Sequence, residues 1–127
     1  MPATAFTIDN SVQIRLKRAY EPPEETDGLR ILVDRLWPRG ISKERLQLDG
    51  WEKVLTPSSS LRQWFAHEPD KWEEFRRFYL EELDSQREAA SALLSRAGKS
   101  RVTLVYAARD ERHNHALVLK EFLEKIQ

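Results

Sequence analysis

Two short apolar runs, Leu29 to Asp34 and Val102 to Ala107, constrain the fold of this chain more than any other feature. Each is close to continuously apolar, as expected of a strand buried on both faces, and such strands belong to parallel sheets. Parallel neighbours need a long crossover connection, normally helical and right-handed. The segment between the two runs carries helical spacing throughout, which meets that need. A third strand is expected earlier, where Val12, Ile14 and Leu16 alternate with Gln13, Arg15 and Lys17. That period of two leaves one face in water. The order strand, strand, several helices, strand, helix predicts a small three-layer α/β domain with a short, mainly parallel sheet flanked by helices.

The helices follow from local signals. Ser42 is placed to cap a short helix through Leu46, and Trp51 to Leu55 reads as another turn closed by Thr56-Pro57. Leu61, Trp64 and Phe65 share a face of a helix ending near His67. Pro69 suits a first helical position, with Asp70, Glu73 and Glu74 favourable in the first turn. Trp72, Phe75, Tyr79 and Leu83 then recur at helical spacing. The stretch Ser85–Glu88 matches a capping box that would restart a helix ended by Gly98. A final helix carries Ala116, Leu119, Phe122, Leu123 and Ile126 on one face. Trp64 and Trp72 are expected in the core, and Trp51 in packing.

No repeat or linker divides the chain, so residues 1–10 are expected as a flexible N-terminus and 11–127 as one domain. Lys plus Arg number 21 and Asp plus Glu number 21, a balance that argues against a general nucleic-acid or membrane-surface binder. Cysteine is absent, which excludes disulfides, thiolate nucleophiles and Cys-ligated metals. The opening residues lack a secretory pattern and no apolar run could span a bilayer, so a cytoplasmic protein is expected.

In open parallel sheets ligands collect beyond the carboxyl ends of the strands. The loop after Val33 holds Asp34, Arg35, Trp37, Arg39, Gly40 and Lys43. Arginines grip phosphate or carboxylate through paired hydrogen bonds, and Gly40 permits a tight turn or close approach. Lys43 adds a point charge, and Trp37 is the tryptophan expected as a site wall. The competing use is structural: Arg35 and Arg39 would pair with Asp34 and nearby acids, while Trp37 and Pro38 cover the core. The loop after Val105 holds Tyr106, Asp110, His113, Asn114 and His115. Histidine titrates near neutrality and can move protons. Asp110 would orient a ring or cap the last helix, and Asn114 would hold a carbonyl or the backbone. His113 and His115 could chelate a metal only from extended backbone, with His67 or Asp34 completing the set, so no metal is expected. Neither a Walker loop nor a dinucleotide glycine motif is present, and no cofactor is specified.

The strings RILVDRLWPRGISKE, LRQWFAHEPDKWEEFRRFY and LVYAARDERHNHALVL closely resemble the YeaO-like branch of the domain-of-unknown-function family 488. The resemblance runs from about Val12 to the C-terminus. It implies a small soluble bacterial α/β protein and marks Asp34, Arg35, Trp37, Pro38, Arg39, Gly40, Tyr106, His113, Asn114 and His115 as signature positions. It transfers no catalytic role to any of them. A wider branch carries a Cys-His-Arg element, and this chain without Cys inherits no thiol chemistry from it.

The expected function is therefore a strand-end site for a small anionic ligand, a phosphate or a carboxylate. Asp34, Asp110, His113 and His115 are the candidates for acid–base chemistry. Arg35, Trp37, Arg39, Gly40, Lys43, Tyr106 and Asn114 are the candidates for binding. The alternatives are a nucleotide or nucleic-acid-associated module, with Trp37 stacking on a base, and a protein-interaction domain.

Overall fold

The computed structural model describes residues 11–98 and 100–127; the expected flexible segment 1–10 lies outside them. Four strands, β1 (Gln13–Arg18), β2 (Leu29–Leu32), β3 (Gly50–Trp51) and β4 (Arg101–Tyr106), form one parallel sheet in the order β1-β4-β2-β3. The two apolar runs are neighbours, with Ile31 opposite Leu104 and Leu32 opposite Val105. The half-wet strand lies at one edge, pairing Ile14 with Val102.

Among the described residues five α-helices accompany the sheet: α1 (Lys43–Leu46), α2 (Ser59–Phe65), α3 (Trp72–Asp84), α4 (Arg87–Ala97) and α5 (His115–Lys125). Alternation along the strands assigns their side chains to two faces. Ile31, Val33, Leu104 and Tyr106 turn to one side and pack with Phe75 and Tyr79 of α3, Leu93 of α4 and Leu119 of α5. Leu32 and Val105 turn to the other, against Ala19, Ile41 and Leu46. That second cover is thin, because the crossover from Leu32 to Gly50 has room for only one helical turn. The Trp37 and Trp51 rings meet edge to face there, with centroids 5.6 Å apart.

A buried charge cluster completes the second face. Arg30 and Asp27 are 3% and 2% exposed, and each is fully engaged. Arg30 reaches Asp27 Oδ2 through Nη1 at 2.6 Å and donates from Nη2 to the Leu46 carbonyl at 2.7 Å. Lys17 Nζ lies 2.8 Å from Asp27 Oδ1. Thr103 Oγ1 donates to the Asp27 carbonyl at 2.6 Å. Burial alone would push the Asp27 carboxyl up, but hydrogen bonds from Lys17, the Glu24 N–H and Arg30 hold it below the ordinary value. The alternation pattern assigns Lys17 to water; it is instead largely covered, because this carboxylate satisfies its charge.

Other expectations are corrected. Trp51 belongs to β3 rather than to a helical turn, and only Lys53–Leu55 coil, as a 3-10 turn. The capping box at Ser85–Glu88 does not form: α4 starts at Arg87, and the Ser85 hydroxyl turns back to the Glu82 carbonyl at 2.6 Å. Trp64 is 37% exposed rather than core, its ring edge-on to Phe78 at 5.9 Å. The α3 stripe holds, with Phe75, Tyr79 and Leu83 buried. The Tyr79 hydroxyl donates to the Leu55 carbonyl.

Candidate functional site

Because all four strands are parallel, the ends of β1, β2 and β4 open at one edge of the sheet. A concave cleft of about 740 Å³ lies there, lined from both predicted loops and from α2.

Asp34 stands at its base. Oδ2 accepts the Ala107 N–H at 2.9 Å, so the two loops are stitched together across the sheet. The Asp34 carbonyl accepts the Trp51 indole N–H at 2.5 Å. His115 Nε2 lies 2.9 Å from Asp34 Oδ1 and 2.9 Å from the Val33 carbonyl oxygen. A carbonyl can only accept, so Nε2 carries a proton. That proton is directed at Val33, and Oδ1 is left buried without a hydrogen bond.

Asp110 and His113 form a second pair. Asp110 Oδ1 accepts the Arg112 and His113 N–H groups at 2.9 and 3.1 Å, and Oδ2 lies 2.9 Å from His113 Nδ1. The Arg112 N–H first, then the His113 ring, hold the Asp110 carboxyl below its ordinary value. Asp110 Oδ2 can accept from the ring at Nδ1, which orients His113. The His113 ring also meets Trp72 edge to face at 5.5 Å. The helix cap is Asn114 rather than Asp110: its Oδ1 accepts the Leu117 N–H at 3.2 Å, and its Nδ2 donates to the Asp110 carbonyl at 2.9 Å.

The cationic rim differs from the structural alternative. Arg35, Arg39 and Arg109 line the cleft and are exposed, and none forms an ion pair or side-chain hydrogen bond among the described residues. Asp34 Oδ2 is taken by the Ala107 N–H, and His115 rather than Arg35 or Arg39 stands beside Oδ1. Trp37 does both jobs: it lines the cleft, packs on the second core and donates to the Ile41 carbonyl at 2.6 Å.

Three candidates fall outside the cleft. Gly40 bends the turn, with φ +80° and no atom beyond its chain neighbours within 4 Å of where a Cβ would stand. Lys43 opens α1 away from the cleft lining, and Tyr106 is buried in the main core. Residues that the sequence did not single out take their place. Arg62 reaches the cleft from α2 beside Phe65, and Phe75 joins from α3. Arg18 props the second loop, donating to the Ala108 and Ala107 carbonyls at 2.9 and 3.2 Å. No local pattern flags these residues, because the fold alone brings α2 and the end of β1 to the site. Among the described residues no group of three or more His, Cys, Asp or Glu side chains is gathered to hold a metal.

Fold and site define a small parallel α/β domain with an arginine-rimmed cleft at its strand ends. The chain belongs to the DUF488-N3i family, described as the inactive DUF488-N3 subclade, whose model matches residues 13–126. It is 46% identical over 115 residues to the uncharacterized protein YeaO of Escherichia coli K12, covering 91% of this chain and all of that one. It is 40% identical over 111 residues to the uncharacterized protein Mb3100c of Mycobacterium bovis, covering 87% of this chain and 93% of the relative. The uncharacterized protein Rv3073c of Mycobacterium tuberculosis is similar to the same extent, at 40% over 111 residues. No solved structure matches the chain. No described helix is long and apolar enough to cross a membrane.

Proposed function

We propose that the strand-end cleft binds a small molecule bearing a phosphate or carboxylate, without turning it over. The observation that carries this reading is the rim of guanidinium groups with no acid to serve among the described residues, Arg35, Arg39 and Arg109, bordering one concavity. In a chain of balanced charge, unpaired arginines gathered at one cleft are suited to an incoming anion. The acids of the cleft stand apart from them, since Asp110 is engaged by backbone N–H groups and His113, and Asp34 holds the Ala107 N–H on Oδ2 with His115 beside Oδ1. Apolar walls such as Pro57, Phe65 and Phe75 suit a ligand with a carbon frame. The description of the subclade as inactive, and a chain without a thiol, favour binding over catalysis.

A thermal-shift comparison of phenyl phosphate, benzoate and neutral phenol tests the reading. Binding to the folded state raises the melting temperature by mass action. The anions should raise it in a saturable way and phenol should not. No shift with either anion would overturn the proposal. Release of inorganic phosphate from phenyl phosphate would point instead to acid–base use of the Asp110–His113 pair.

A further inference from the structure

Two buried side-chain atoms among the described residues have no hydrogen-bond partner: Oδ1 of Asp34 and Nε of Arg62. Both residues line the strand-end cleft, although one lies in the loop after β2 and the other within α2. Folded proteins pair nearly all of their buried polar groups, and an unpaired one is destabilising. Two in one concavity, of opposite polarity, describe what would complete the site. Asp34 needs a donor, because its Oδ2 already holds the Ala107 N–H and the His115 proton goes to Val33. Arg62 needs an acceptor, because among the described residues its one side-chain hydrogen bond runs from Nη2 to Ser59 Oγ at 3.1 Å.

We infer that the ligand carries an anionic group and a separate hydroxyl or N–H donor on an apolar frame, as hydroxylated or aminated aromatic phosphates and carboxylates do. This rests on the proposed anion binding and narrows it. The anion answers the arginines, Arg62 included, and the donor answers Asp34 Oδ1. Both orphan atoms are closed off from solvent, so entry must shift a side chain.

The test is calorimetric titration of the full chain with phenyl phosphate and its ortho, meta and para hydroxy derivatives, and with benzoate and its three hydroxy derivatives. At least one hydroxylated isomer should bind about tenfold more tightly than its parent, the equivalent of one good hydrogen bond. The better parent series identifies the anion. Asp34→Asn keeps its oxygen on the Ala107 N–H and replaces the anionic acceptor with an NH₂, which a phenolic hydroxyl can meet only as a weak acceptor, so the advantage of the hydroxyl should fall severalfold. Equal affinity of every hydroxylated compound and its parent in the wild-type protein would overturn the inference and leave anion binding standing. An internal water satisfying the two atoms would give that same equality. A hydroxyl advantage that stays undiminished in Asp34→Asn would overturn the role given to Asp34. Binding of neither series would overturn the inference together with the anion reading.

Discussion

His115 holds its Nε2 2.9 Å from Oδ1 of Asp34, so the first residue of α5 is latched to the end of β2. The same nitrogen donates to the Val33 carbonyl at 2.9 Å. The latch joins the two loops from which most of the cleft is built. His115→Ala removes the donor from a part-buried carbonyl and should destabilise the protein by about 1–3 kcal/mol in urea unfolding. A change within about 0.5 kcal/mol, typical of surface sites, would show that the latch is incidental.

The helical core makes a larger demand. Phe75 is 2% exposed and stacks on Phe65 with centroids 4.3 Å apart. Phe75→Ala removes that packing and leaves a cavity, so equilibrium unfolding should register a loss of about 3–5 kcal/mol. A loss under about 1 kcal/mol would mean that α3 does not face the core in solution.

Acid should act through Asp27. Its carboxyl is held below the ordinary value of 3.8, so its contribution is complete above that value and disappears as pH falls through the lower folded value. Lys17 works in the opposite sense. Burial lowers its ammonium, but Asp27 and Glu24 more than offset that and raise it above 10.5, so its contribution is present below that value and fades as pH climbs through the folded one. Asp27→Asn should flatten the acid limb of a stability–pH curve below about pH 4. At neutral pH it should cost about 3–5 kcal/mol, because Arg30 and Lys17 lose the partner of their buried charges. An unchanged acid limb would assign acid sensitivity elsewhere.

Two glycines with positive φ should respond differently to alanine. At Gly28 a Cβ would stand 2.2 Å from the Arg101 carbonyl oxygen, against the start of β4. Gly28→Ala should cost more than about 3 kcal/mol or prevent folding. At Gly40 no atom lies within 4 Å, and only the left-handed backbone is strained. Gly40→Ala should cost about 1–2 kcal/mol and leave phenyl phosphate affinity unchanged. Equal melting curves for the two variants would contradict this account of the β2 entry.

The sheet was legible because burial on both faces leaves a nearly unbroken apolar run, and the runs at Ile31 and Leu104 are central strands. The adjacency of the loops at Asp34 and Ala107 followed from parallel topology alone. Arg62 was not legible, since nothing local marks a helical arginine whose Nε is buried beside a cleft. The Asp27–Arg30–Lys17 cluster was hidden for a related reason: a charge reads as solvated until the fold supplies its partner. β3 was too short for periodicity to register, and Ser85 misled because its hydroxyl bonds backward to Glu82 rather than forward into α4. The density of the loop after Val33 has two sources. Trp37 and Ile41 cover the thin second face, while the side chains of Arg35 and Arg39 take no partner among the described residues.

Arg39→Lys tests anion binding most directly. The Arg39 side chain makes no ion pair among the described residues, and only its backbone carbonyl is used, accepting the Tyr20 hydroxyl at 3.1 Å. Lysine keeps the charge and removes the planar fork. Titrating phenyl phosphate into both proteins, with parallel melting curves in the absence of ligand, should give an affinity about tenfold weaker for the variant and an unchanged melting temperature. Unchanged affinity with a lowered melting temperature would contradict the account and make Arg39 a structural residue.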